Sequence, residues 1–164
     1  MKEIPLTQGK VALVDDADYE YLIQWKWHFA KKQDGTGYAR RKVCSRISDK
    51  TYRWKSYWMH REIMKTPEGM DTDHRDGDKL NNQRYNLRIC TSSQNKSNKG
   101  TQRNNTSGYK GVVWHKKAGK WQGKIGIRGK NIHLGLFETA IEAAKAYNAA
   151  SLEHYGGFAR LNDV

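Results

Sequence analysis

Residues 71–99 read DTDHRDGDKLNNQRYNLRICTSSQNKSNK. A short extended run ends at Asp73-His74, a polar loop containing Gly77 follows, and a second short strand is expected over Leu87–Cys90. Thr91 and Gln94 then form T-x-x-Q, the capping-box signal that opens a helix. The pattern predicts strand, loop, strand and helix in that order, with Asn95 in the first turns of the helix and Asn98 and Lys99 near the same face. Asn95 can thus look back toward the hairpin. Hydrolysis of a phosphodiester needs a cation on the nonbridging and leaving oxygens, a base for the attacking water and a group that orients the base. Asp, His and Asn can fill those roles. Asp73 and Asn95 offer hard oxygen ligands that suit Mg²⁺ or Mn²⁺, and a site with only two protein ligands leaves positions for water and phosphate. A calcium loop fails: Asp71, Asp73 and Asp76-Gly77 do not match D-x-[DN]-x-[DN]-G, and the twelfth position from Asp71 is Asn82, not Glu. Asp76 and Asp78 read as loop-forming residues. Successive strand residues face opposite ways, so Asp73 and His74 can serve one site only if the strand breaks there, as the loop beginning at Arg75 allows.

The rest of the chain supplies a context for that chemistry. Its 164 residues carry 30 Lys and Arg against 17 Asp and Glu, a formal charge of +13, which points to a polyanionic partner and first to nucleic acid. A disordered basic tail is excluded by 6 Trp, 9 Tyr and 3 Phe, because such tails carry far less surface to bury. No apolar run matches a secretory signal or a membrane span, and Cys44 and Cys90 are isolated with no CxxC knuckle. A soluble, cytoplasmic protein with free thiols is expected.

Charge is uneven: residues 1–36 have a net charge of −1 and residues 37–65 of +7. Residues 4–14 read as an extended pair around the Gln8-Gly9 turn. Residues 16–27 read as a helix with Tyr19, Leu22, Ile23 and Trp27 near one face. Basic strands are expected at 38–42 and 50–58, joined by a loop, and a short helix at 59–65 is ended by Thr66-Pro67. Trp25, Trp27, Trp54 and Trp58 read as core residues.

Residues 96–108, KSNKGTQRNNTSG, have no apolar residue and the composition of a linker. Beyond them come three strand-like runs at 109–116, 120–128 and 130–137, parted by Lys117-Ala118-Gly119 and by Gly129. A helix follows, capped by Thr139 with Glu142 and stopped at Gly156-Gly157. In the second run Lys120, Gln122, Lys124 and Arg128 share one face and Trp121, Ile125 and Ile127 the other. The third places Asn131 and His133 outward and Ile132, Leu134 and Leu136 inward. A sheet with one apolar face under a helix and one basic, amide-bearing face suits the major groove.

The segment DTDHRDGDKLNNQRYNLRICTSSQN resembles the HNH homing-endonuclease family, whose ββα-metal fold binds one divalent ion between a hairpin and a helix. The resemblance rests on Asp73-His74, the Asn81-Asn82 pair, Asn86-Leu87-Arg88 and Gln94-Asn95 falling in order. It implies that Asp73 and Asn95 bind the metal, that His74 is the general base, and that Asn86 pins the loop and orients the imidazole. The upstream His60-Arg61 also resembles these families. For His60, packing, a phosphate contact and catalysis all stay open. The basic stretch 40–61, with Arg40, Arg41 and Arg61, is expected to hold the DNA backbone.

Residues 107–162 resemble the AP2/ERF DNA-binding domain over nearly its whole length. The matching parts are Tyr109-Lys110-Gly111-Val112, Lys120-Trp121, Leu134-Gly135 with Phe137, the Thr139-Ala140 to Ala143-Ala144 helix start, Ala146-Tyr147 and Leu161-Asn162. Positions where plant members place Arg, Arg, Glu, Arg and Trp hold Val113, His115, Lys124, Gly126 and His133. The resemblance therefore implies a sheet-in-groove docking mode but not the plant sequence preference. HNH followed by AP2 is an arrangement of phage-type mobile endonucleases, which implies a phage or mobile-element origin.

The reading is an α+β chain with a nuclease portion at 1–95, a polar linker at 96–106 and a DNA-reading module at 107–164. It predicts a monomeric, site-selective endonuclease that uses one divalent ion, Mg²⁺ or Mn²⁺, and nicks one strand of double-stranded DNA, with no membrane partner. Candidate DNA contacts in the module are Lys110, His115, Lys117, Lys120, Gln122, Lys124, Arg128 and His133. The rival is a non-catalytic DNA-binding protein or regulator that keeps the ββα shape. RNA is disfavoured because the basic sheet lacks aromatics at stacking positions.

Overall fold

A computed structural model describes residues 1–102 and 104–164; Arg103, within the expected linker, lies outside the described residues. The chain is α+β and divides into two units, Met1–Cys90 and Thr91–Val164. The helix that carries Asn95 therefore counts with the second unit.

In the first unit β1 (Lys2–Pro5) and β2 (Val11–Val14) pair antiparallel around a turn in which Gln8 and Gly9 both have φ +64. Ile4, Ala12 and Val14 face inward and are at most 1% exposed. Helix α1 spans only Asp16–Leu22, shorter than the expected 16–27. The reason lies at its end. The Trp27 indole turns back and donates to Leu22 O at 2.8 Å, which satisfies a helix-end carbonyl and lets the chain leave into β3 (His28–Lys31). That strand, absent from the sequence expectation, pairs with the start of β4 (Gly37–Ser48), Lys31 opposite Gly37 and His28 opposite Arg40.

Strand β4 (Gly37–Ser48) and β5 (Thr51–Trp58) form one long hairpin rather than two short strands across a loop, paired from Arg40–Trp58 out to Ser48–Thr51. Beyond Arg40 the hairpin has no third strand among the described residues. Trp54 there is 64% exposed, so the expectation that it is a core residue is corrected: it sits opposite Cys44 on an arm that no layer among the described residues covers. Trp27 is buried, and Trp25 packs at the core edge. Helix α2 (Met59–Met64) returns to the core through Met59 and Ile63, which join Leu22, Trp27, Phe29 and Leu87. It ends where Lys65 takes φ +47, just before Thr66-Pro67. The unit closes with the hairpin of β6 (Asp71–His74) and β7 (Leu87–Cys90).

The second unit opens with α3 (Ser92–Ser97), whose Thr91 and Gln94 make the full capping box. Three antiparallel strands follow in the order β10-β9-β8: β8 (Val112–His115), β9 (Lys120–Ile127) and β10 (Lys130–Phe137). Helix α4 (Ala140–Tyr155) has the Thr139–Glu142 capping box and ends at Gly156. Its Ala143 and Ala144, 0% exposed, let the helix backbone lie close to the sheet, with Val112, Trp121 and Phe137 filling the space. Gly111 has φ +77, and a Cβ there would run into the Tyr147 ring. Asn162 explains the terminal Leu161-Asn162 match: its amide brackets Lys110 N and O at 2.7 and 3.1 Å, while its backbone pairs with the Asn148 amide.

One face assignment is corrected. The register of β10 shifts between His133 and Gly135, so Leu136 pairs with Gln122 and Phe137 with Trp121. The extra residue reverses the alternation, which puts Leu136 on the outer face, 41% exposed, and Phe137 on the inner one.

Candidate active site

The β6–β7 register sets Asp73 opposite Arg88 and His74 opposite Leu87. The strand ends at His74 and turns at once, Arg75 N donating to Asn86 O at 2.9 Å and Gly77 N to His74 O at 3.1 Å. Both Asp73 and His74 are buried, 1% and 0% exposed. Asn86 holds the loop: its Oδ1 accepts from Asp76 N at 3.0 Å, and its Nδ2 donates to Asp76 Oδ1 and Asn81 O at 2.9 and 2.8 Å. Asp76 and Asp78 close further turns onto Asp78 N and Leu80 N.

The N-terminal elements grip this loop from the other side. Leu13 N of β2 donates to Leu80 O at 2.9 Å, and Asn82 N donates to Leu13 O at 2.8 Å. Asp15, at the start of α1, accepts from Gln83 Nε2 and Arg84 N, and Asp18 accepts from Arg84 Nε and Nη2 at 2.8 and 2.6 Å.

The consequence reaches the imidazole through Asn82. Its Nδ2 donates to Leu80 O at 3.2 Å, which turns its Oδ1 toward His74 Nε2, also at 3.2 Å. His74 Nε2 therefore carries the proton and Nδ1 the lone pair, the tautomer a general base needs. Burial pushes the His74 pKa down to about 4 against the opposing hydrogen bond to Asn82, so the ring is neutral at pH 7. Asn82 thus meets the imidazole, and Asn86 bonds the loop. The Asn81-Asn82 pair was the available signal.

Asp73 receives Arg88 Nε and Nη2 on Oδ2 at 2.9 and 2.8 Å, and the Arg88 side chain is only 10% exposed. The hairpin register makes this pair, so a sequence reading needs the register before it can see it. Asp73 offers the hard anionic oxygen a small dication takes, and the guanidinium is what that dication must share it with. Asn95 lies on α3, its backbone N bonded to Thr91 O. Among the described residues no group of three or more His, Cys, Asp and Glu side chains is placed to hold a metal ion.

A second histidine stands behind the first. His60 of α2 lies 5.2 Å from His74 between ring centroids, and Tyr38 is 5.1 Å from His60 and 6.0 Å from His74. Burial, reinforced by His74, Arg61, Lys79 and Lys32, pushes the His60 pKa down to about 3. In the unfolded chain it titrates near 6.5, so the unfolded state takes up a proton first and stability falls as pH drops from about 6.5 toward 3, by at most about 1.4 kcal/mol per unit. His60→Leu should flatten that part of the urea-midpoint profile, and an unchanged slope would show that His60 does not set it.

The sequence profile of the HNH endonucleases matches residues 65–97. Protein 3.8 of Escherichia phage T7 is 35% identical over 95 residues, which cover 58% of this chain and 78% of that protein. The chain belongs to the HNH endonuclease family. HNH nucleases are generally dependent on a divalent metal. This HNH chain also carries an AP2-like segment. It is 39% identical over 69 residues to the AP2-like ethylene-responsive transcription factor TOE2 of Arabidopsis thaliana, and 38% identical over 60 residues to APETALA2-like protein 2 of Oryza sativa subsp. indica. Those matches cover 42% and 37% of the chain but only 14% of each plant protein. Both kinds of relative point to DNA binding, and no helix among the described residues is long and apolar enough to cross a membrane.

The expected DNA contacts of the HNH protein fall into two groups. On the outer face of the second-unit sheet, Lys124 pairs across the strands with His133, His115 with Lys120 and Val113 with Gln122, and Gln122 Nε2 lies 2.9 Å from His133 Nδ1. Lys117 and Arg128 stand in the connecting turns, Arg128 with φ +48. Other candidates have structural partners. Arg41 is only 12% exposed, paired with Glu62 at 3.1 Å and packed on the rings of Trp25 and Tyr57 at 4.2 and 4.3 Å. Arg61 donates to Met70 O and Pro67 O. Lys110 donates to Ser97 O, and burial pushes its pKa down to about 8. Arg40 lies 5.5 Å from the Trp58 ring.

Proposed function

We propose that this HNH protein is a site-selective DNA endonuclease that nicks one strand, in the manner of homing enzymes, with a divalent ion such as Mg²⁺ or Mn²⁺. The observation that carries the reading is His74: a neutral imidazole with its lone pair on Nδ1, at the end of the strand that also bears the buried Asp73. His74 takes the proton of the attacking water as the water oxygen bonds to phosphorus and the bond to the leaving oxygen breaks. Asn82 keeps the tautomer through that step, and Asn86 keeps the loop closed. Asp73 and Asn95 are the residues assigned to the ion. When bound, the ion supplies charge stabilisation on the phosphate and the leaving oxygen. The test is a duplex labelled differently on its two 5′ ends, incubated with Mg²⁺ or Mn²⁺ and with EDTA. Shortening of one labelled strand in the metal lanes alone is expected; two intact strands in every lane would refute the reading.

One observation favours a second reading. Arg88 on Asp73 neutralises the carboxylate assigned to the ion, which is what a DNA-binding protein without catalysis would need. Under either reading the second-unit sheet reads DNA. Lys120, whose Nζ lies 2.6 Å from Glu138, should act on phosphate, so Lys120→Ala weakens binding to all duplexes alike and lowers the salt slope by about 0.9. Gln122→Ala should cost roughly 1–3 kcal/mol at one preferred base pair. Competition titrations against target and scrambled duplexes at two salt concentrations separate the two effects, and equal losses on both duplexes for Gln122→Ala would remove it from base reading.

A further inference from the structure

Beside His60 the first unit has a cavity of about 500 Å³, within the size range of small-ligand sites. Phe29, Tyr38 and Trp58 supply aromatic walls, and Lys31, Lys32, Arg40 and Arg61 line it with positive charge, with no Asp or Glu among the lining residues. Lys32 Nζ donates to Tyr38 Oη at 3.3 Å, which sets a cation at the edge of an aromatic wall. His60 also lines the cavity; it is 8% exposed, and its Nδ1 is buried without a hydrogen-bond partner among the described residues. A buried polar atom left unmet costs free energy unless something in the cavity meets it. Cations on aromatic walls, with a neutral imidazole, fit an anion that carries a flat ring. Tyr38 and His60 each reach from the cavity wall to the His74 ring, at 6.0 and 5.2 Å between centroids.

We propose that this cavity binds one nucleotide of the DNA strand next to the phosphate being cut, its own phosphate on the lysine and arginine side chains and its sugar and base against the aromatic walls. His60 is the hydrogen-bond partner of that nucleotide. Which nucleotide enters rests on the endonuclease reading; that a nucleotide binds there does not.

The probe is thymidine 3′,5′-bisphosphate, titrated into the full chain in EDTA and followed by side-chain NMR. Saturable shifts of His60, Tyr38 and Trp58 are expected, with Trp114 and Trp121 of the second unit unmoved. Lys32→Ala, at an exposed position, should weaken binding severalfold without lowering the thermal midpoint. His60→Leu should weaken it about tenfold and His60→Gln much less, as for one lost hydrogen bond. Thymidine should not bind, and inorganic phosphate should bind more weakly. No shift at these three residues, or equal affinity for inorganic phosphate, would overturn the proposal. Probe binding without DNA cutting would refute the endonuclease reading alone, and DNA cutting without probe binding would refute the cavity alone.

Discussion

Replacing His74 with alanine should lower the rate of DNA cleavage by at least ~100-fold while leaving duplex affinity nearly unchanged, as expected when a general base is lost. The side chain is fully buried and contributes no charge at pH 7, so its loss removes neither a phosphate contact nor a surface cation. Asn82 gives the same claim a second handle. Asn82→Leu removes the acceptor for Nε2–H and frees the other tautomer, which puts the proton on Nδ1; activity should fall by about tenfold or more. Asn82→Asp keeps an acceptor at that point but loses the donor to Leu80 O, so its rate should fall between those of the parent chain and Asn82→Leu, which separates tautomer control from simple loss of packing. Single-turnover rates and gel-shift affinities of the three variants read both quantities, and an undiminished rate for His74→Ala would remove His74 from its role.

Arg88→Met should destabilise the metal-free protein by about 3–5 kcal/mol, the usual loss when one partner of a buried pair is removed. Asp73 is 1% exposed and Arg88 10%, so the variant leaves a carboxylate charge with much of its compensation gone. Urea unfolding in EDTA measures the loss, and Asp73→Leu combined with Arg88→Met should recover much of it, because no buried charge remains. A loss below about 1 kcal/mol would show that the pair is not what holds this hairpin. If a dication takes Asp73, Mg²⁺ should raise the midpoint of Arg88→Met by more than that of the parent chain, by ordinary ligand linkage.

Local rules were legible from the residues alone. Thr91 with Gln94 and Thr139 with Glu142 announce their helices because a capping box is a contact within four residues, and both boxes form. The Asp73-His74 strand end was legible from the polar loop that follows it, whereas the role of Asn86, which bonds Asp76 ten residues away, came only with the family resemblance. What escaped depends on partners distant in sequence. Arg88 meets Asp73 only through the hairpin register, and Asn82 is held toward His74 through Leu13, about seventy residues away. Helix α1 stops early because the Trp27 indole bonds Leu22 O, a competition that periodicity cannot weigh. Leu136 changed faces through one extra residue in β10, the failure to which a period of two is most exposed. Trp54 was assigned to the core by its type, but nothing in residue type says that a hairpin will run past the sheet that starts it.

The most direct test of the central claim is supercoiled plasmid incubated with the 164-residue chain, with and without Mg²⁺, resolved over time on an agarose gel in detergent. One active site per chain predicts open circles first, only with the metal, and linear DNA later if at all. Plasmid that stays supercoiled with Mg²⁺ and with Mn²⁺, although the protein retards it when the detergent is left out, would contradict the account and leave a DNA-binding protein built on a nuclease fold.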